Sequence, residues 1–104
     1  MNARDAYAAI ADPTRREILD LLRTHGTLHA GEIAARFPSR SRPGISRHLR
    51  VLRECGVVTS DRVGRARVYA LDPRPLDAIR EGWLASFAGM QTRSLRALRA
   101  RAES

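Results

Sequence analysis

The sequence holds a single cysteine and no lysine, and nowhere in it is there a long apolar run. One thiol cannot close an internal disulfide, so a reducing cytoplasm is the expected compartment. No stretch approaches the roughly 20 apolar residues of a membrane span, and residues 1–11 lack the basic start and apolar block of a secretory leader. Missing too are a nucleophile elbow, a glycine-rich phosphate loop and a run of metal ligands. His25 and His29 stand four apart, but Gly26 interrupts any helix between them, and His48 and Cys55 lie well beyond. The chain therefore reads as a non-enzyme that needs no cofactor and no metal.

All 19 cations are arginine, set against 11 acids for a net charge of +8. Arginine suits bidentate contact with phosphates and guanine edges, although a codon bias would give the same composition. The distribution is more telling. Residues 36–67 carry nine arginines and two acids, whereas residues 1–35 carry four arginines and five acids. A basic block of that kind is the electrostatic footprint of a polyanion partner. At 104 residues the chain is one domain, 1–104, with an adequate but not generous core.

The basic block contains a run from Ser41 to Gly56 that predicts a helix of about four turns. Ser41 or Arg42 serves as N-cap, Pro43 sits where a missing N–H costs nothing, and Gly56 takes a left-handed cap. Ile45, Leu49 and Leu52 recur at i, i+4 and i+7 as a buried stripe, leaving Ser46, Arg47, Arg50 and Glu54 on the opposite face. Before it, Glu32–Phe37 forms a short amphipathic helix, followed by the turn Pro38-Ser39-Arg40. Short helix, tight turn and longer basic helix make a helix-turn-helix, whose second helix enters a DNA major groove. Arg47 and Arg50 are the best candidates for base contacts. Arg42 and Ser46 serve phosphate or base edges, and His48 sits at the border between core and contact face.

After Gly56 the period changes from helical to alternating. Residues 57–63 and 67–71 predict two strands joined around Gly64, a wing whose Arg62, Arg65 and Arg67 lie along the phosphate backbone or reach the minor groove. The same arginines would also blunt an exposed hairpin edge. Upstream, residues 1–11 predict a short helix carrying Tyr7 and Ile10, and Asp12-Pro13 caps a second helix with Ile18, Leu19 and Leu22 inward. These complete a helical unit over 12–56. Downstream, residues 75–102 predict one continuous helix broken only in propensity by Gly82 and Gly89. Leu76 to Trp83 should close the core. The remainder, at roughly 40 Å of total helix, is more than so small a domain can cover. A second copy would bury it, with Tyr7, Trp83, Leu84, Phe87, Leu95 and Leu98 at the interface.

These residues resemble a known family. Asp12-Pro13-Thr14-Arg15-Arg16 with Ile18-Leu19-Asp20-Leu21-Leu22, Ser41-Arg42-Pro43 leading to Ile45-Ser46-Arg47-His48-Leu49-Arg50-Val51-Leu52-Arg53-Glu54, and Gly64-Arg65-Ala66-Arg67-Val68-Tyr69 are similar to the ArsR/SmtB winged-helix repressors. The likeness is greatest to the small autorepressors rather than the metal sensors. It implies a mainly α fold with a small β-hairpin, in the order α-α-α-α-β-β-α, dimerising through its C-terminal helix. It also implies a homodimer that binds an inverted repeat in double-stranded DNA and blocks transcription. Metal-sensing members carry a Cys-x-Cys pair at the third helix or Asp and His ligands on the last, and this chain has neither. Gly44 stands where alanine is common, and Cys55 where a small residue is usual. A ligand- or thiol-gated sensor of the same fold, and a protein-interaction module that ignores DNA, are the alternatives.

Overall fold

The computed structural model describes residues 3–103, and the side chains of these except 3–5, 91 and 92. The first two residues of the expected N-terminal segment and the last residue of the chain lie outside that range. The first firm boundary is Asp12-Pro13. Asp12 is extended (φ −107°, ψ 131°) and its carboxylate accepts from the backbone N–H of Arg15 at 3.1 Å, which ends α1 (Ala3–Ile10) and starts α2 (Pro13–His25). Gly26, at φ 84°, closes α2 by donating to the Leu22 carbonyl.

Thr27–His29 forms a third strand, β1, beyond the two that the alternating runs predict. It pairs antiparallel with the wing, placing Leu28 opposite Tyr69, both buried. His29 then caps α3 (Ala30–Ala35): its Nδ1 accepts from the Glu32 N–H at 3.2 Å while Glu32 Oε1 accepts from the His29 N–H at 3.0 Å. The recognition-helix candidate α4 spans Arg42–Glu54, and β2 (Val58–Val63) and β3 (Ala66–Leu71) follow. The sheet order is β1-β3-β2, antiparallel throughout.

Among the described residues, Ile18 and Leu22 of α2, Ile33 of α3, Leu52 of α4, Val57 just before β2 and Val58 at its start are the largest fully buried side chains. Each is worth roughly 1.5–3 kcal/mol as removed apolar surface, so the three inner helices and the sheet are held by one shared core.

The C-terminal segment departs from expectation. In place of one long helix there are α5 (Arg74–Glu81), a 3₁₀ turn (Leu84–Phe87) and α6 (Met90–Glu103). Gly82 ends α5, and Gly89 adopts φ 78°, the left-handed region that interrupts a right-handed helix. A glycine in a helix costs about 1 kcal/mol against alanine, and no core contact is present here to offset it. Leu76 and Ile79 do pack inward, but Trp83 does not close the core and is 56% exposed. α6 makes no more than marginal contact with the other described elements and projects from the head. The described residues accordingly measure 67 × 29 × 21 Å with a radius of gyration of 18.4 Å, against about 13 Å for a rounded domain of this length.

Candidate nucleic-acid interface

The interface begins with the cap of α4. Ser41 Oγ accepts from the Gly44 N–H at 3.1 Å, and Pro43 follows in the first turn. A Cβ at Gly44 would lie 3.0 Å from that hydroxyl, so glycine at this position leaves room for the cap. Ile45, Leu49 and Leu52 are buried, which turns Arg42, Ser46, Arg47, Arg50, Arg53 and Glu54 outward to solvent. Arg50 Nε lies 3.9 Å from Glu54 Oε1, a loose pair between exposed groups. Arg53 extends the cationic face beyond the residues expected from sequence, as does Arg40 in the preceding turn.

His48 is the exception on α4. Its ring is only 20% exposed and faces back toward the α2 N-terminus, with Nδ1 3.3 Å from Arg15 Nη1 and 3.9 Å from Asp12 Oδ2. The same Arg15 donates from Nε to the Ala9 carbonyl at 3.1 Å and from Nη2 to the Ala8 carbonyl at 2.9 Å. Arg16 donates to the Ile10 carbonyl at 2.8 Å. Two consecutive arginines thus satisfy the last carbonyls of α1, which the helix itself leaves open. Partial burial pushes the Asp12 carboxyl up, but the Arg15 N–H, the positive charge of the His48 ring in its protonated form and the Arg15 guanidinium together outweigh it and hold the group below its ordinary value.

The wing extends directly from α4 through Gly56 (φ 77°) and Val57. Val63 pairs with Ala66, leaving the two-residue loop Gly64-Arg65, with Gly64 at φ 64°. A positive φ at that loop position favours glycine. Arg62, Arg65 and Arg67 are all exposed; Arg67 Nη1 donates to Ser60 Oγ at 3.0 Å, and Asp61 accepts from the Arg62 N–H at 2.9 Å. Cys55 is buried at the end of α4, which shields its sulfur from solvent.

The residues expected at a dimer interface separate into two groups. Tyr7 meets Trp83 edge-on with ring centroids 5.8 Å apart, and Trp83 meets Phe87 the same way at 4.9 Å. Leu84 and Phe87 are about half exposed, and Leu95 and Leu98 on α6 are 65% and 66% exposed. None of the last four is covered by the chain's own core.

Comparison with known proteins identifies the family of the fold. The helix-turn-helix domain family matches residues 10–61. The chain is 47% identical over 75 residues to the HTH-type transcriptional regulator Rv2034 of Mycobacterium tuberculosis, covering 72% of this chain and 68% of that one. It is 42% identical over 84 residues to the transcriptional repressor SdpR of Bacillus subtilis, covering 80% of this chain and 89% of the relative. Among solved structures, an ArsR-like transcriptional regulator from Rhodococcus superposes with a TM-score of 0.73 at 35% identity, over 96% of this chain and 89% of that one.

Proposed function

Since the chain belongs to the ArsR/SmtB family of winged helix-turn-helix proteins and is a DNA-binding transcriptional regulator, we propose that it acts as a homodimeric repressor on an inverted-repeat operator. Residues 1–104 serve as one DNA-binding unit, and the cytoplasm is where it works. Two copies of α4 enter successive major grooves about 34 Å apart. Arg47 and Arg50 read base edges, most favourably the O6 and N7 of guanine, while Arg42 and Ser46 hold the register. Arg62, Arg65 and Arg67 of the wing grip phosphate. Leu84, Phe87, Leu95 and Leu98, with Trp83 and Tyr7 behind them, form the surface shared with the second copy.

The observation that carries this reading is the outward cationic face of α4, joined without a break to an arginine-tipped hairpin. That two-part surface has the charge of a duplex contact, and it coincides with the charge excess of residues 36–67. The exposed apolar face of the C-terminal segment supports the second copy, because isolated leucines on a projecting helix leave apolar surface in water.

Titration against a duplex of the chain's own upstream region tests both parts. Arg47→Ala should abolish preference for that duplex over random DNA. Arg65→Ala should weaken binding to both and lower the log-log salt slope by about 0.9 for each phosphate that is no longer neutralised. Unchanged sequence preference in the first variant refutes the base-reading role, and an unchanged slope in the second refutes the phosphate role.

A further inference from the structure

The contact between Arg15 and His48 joins residues 33 apart in sequence, and it dictates the state of the imidazole. A guanidinium has five donors and no acceptor, so a hydrogen bond across this 3.3 Å contact requires Nδ1 of His48 to accept, and a neutral ring that accepts there carries its hydrogen on Nε2. Arg15 is also anchored by its Nε on the partly buried Ala9 carbonyl and by Nη2 on the Ala8 carbonyl, which fixes the plane of the guanidinium at the end of α1. Asp12 closes the remaining side of the corner, 3.9 Å from Nδ1. Among the described residues no buried side-chain nitrogen or oxygen lacks a partner, so the Nε2 edge of this partly covered ring reaches solvent. His48 lies on α4 one residue from Arg47 and two from Arg50 and Ser46.

We propose that Arg15 is a positioning residue for DNA binding: it locks His48 as the Nε2–H tautomer and holds that donor at the rim of the α4 contact face, where it takes a backbone phosphate. This assignment rests on α4 being the groove-entering helix. A neutral imidazole displaces no counterion, so its phosphate bond adds affinity without adding to the salt slope, unlike an arginine contact. The contact also fixes the direction of that donor on α4, because the ring is tied through Arg15 to the end of α1.

Two readouts test the proposal on the full-length chain. The long-range proton–nitrogen spectrum of the imidazole should show the Nε2–H tautomer alone in the native protein and a loss of that purity in Arg15→Leu. Binding to the upstream-region duplex should fall about tenfold per half-site in His48→Asn, whose amide keeps an acceptor near Nδ1 but does not reach Nε2, with the salt slope unchanged. His48→Gln, which carries an amide N–H out to the Nε2 position, should recover binding to within about threefold of native. The asparagine and glutamine variants keep the test open if Arg15→Leu melts below the assay temperature. An Nδ1–H tautomer, full-strength binding by His48→Asn, failure of His48→Gln to exceed it, or a slope that drops by about 0.9 in His48→Asn overturns the proposal. Arg47→Ala in the same titration separates the two layers. If it binds as the native chain does, the docking of α4 is wrong. If it fails while His48→Asn binds normally, only the role of Arg15 and His48 falls.

Discussion

Leu95 and Leu98 offer a perturbation that should separate assembly from folding. Both sit on α6, 65% and 66% exposed, and α6 leans on no other described element to more than a marginal extent. Full burial of a leucine side chain is worth roughly 1.5–3 kcal/mol, so about two thirds of that, some 1–2 kcal/mol, is still to be gained at each position. Truncation to alanine in both positions removes four side chains from a twofold dimer but leaves their Cβ atoms, a loss of about 3–6 kcal/mol in association. The dimer dissociation constant of Leu95→Ala/Leu98→Ala should therefore rise by about 10²–10⁴-fold, read by sedimentation equilibrium across a concentration series. At concentrations where native and variant chains are both monomeric, the two should melt together, since neither leucine belongs to the head's core. A dissociation constant within threefold of native, or a native chain that stays monomeric at all concentrations, refutes the assignment of this face. A lower melting temperature of the monomer would show instead that α6 stabilises its own head.

Gly44→Ala should give almost no net stabilisation: the roughly 1 kcal/mol gained in helix propensity is offset by crowding of the Ser41 hydroxyl 3.0 Å from the new Cβ. In a Ser41→Ala background the same change should recover about 1 kcal/mol, and a denaturation cycle showing the full gain in the single variant would refute the conflict. Glu54→Gln should leave stability within about 0.5 kcal/mol, because its pair with Arg50 is exposed and loose, yet raise affinity for random duplex a few-fold by removing a carboxylate from the contact face. Competition between upstream-region and random duplexes reads the resulting fall in specificity; an unchanged ratio counts against it. Asp12 and Asp72 both titrate below the ordinary 3.8, Asp72 through its bonds from the Arg74 side chain and N–H. Depressed folded values stabilise the fold above about pH 4, and that contribution disappears as pH falls through them. Asp12→Asn retains a capping oxygen but no titrating group, so its denaturation midpoint should fall less than the native midpoint between about pH 5 and 3. Parallel curves would refute the Asp12 share.

Local signals made much of this architecture legible. Asp12-Pro13, Ser41-Pro43 and Gly56 each carry their boundary in a few residues, so α2 and α4 could be bounded by reading. The outward placement of Arg42, Ser46, Arg47 and Arg50 followed from the Ile45, Leu49 and Leu52 stripe. Two features escaped because their causes are distant. β1 is three residues long and is a strand only because Val68, Tyr69 and Ala70 lie beside it. The Arg15 and His48 contact likewise depends on how α2 crosses α4, which no local period encodes. In the C-terminal segment the error ran the other way. Periodicity continued through Gly82 and Gly89, but without neighbours to bury the stripe, backbone preference at the glycines prevailed.

β1 has a mechanical consequence. Its last residue, His29, is both the cap of α3 and the partner of Val68 across the sheet, so the first helix of the reading head and the returning strand of the hairpin are riveted at one point. A load on the hairpin is carried through that residue into the start of α3. If α4 and the wing act as proposed, they are coupled through this residue like the two jaws of one calliper.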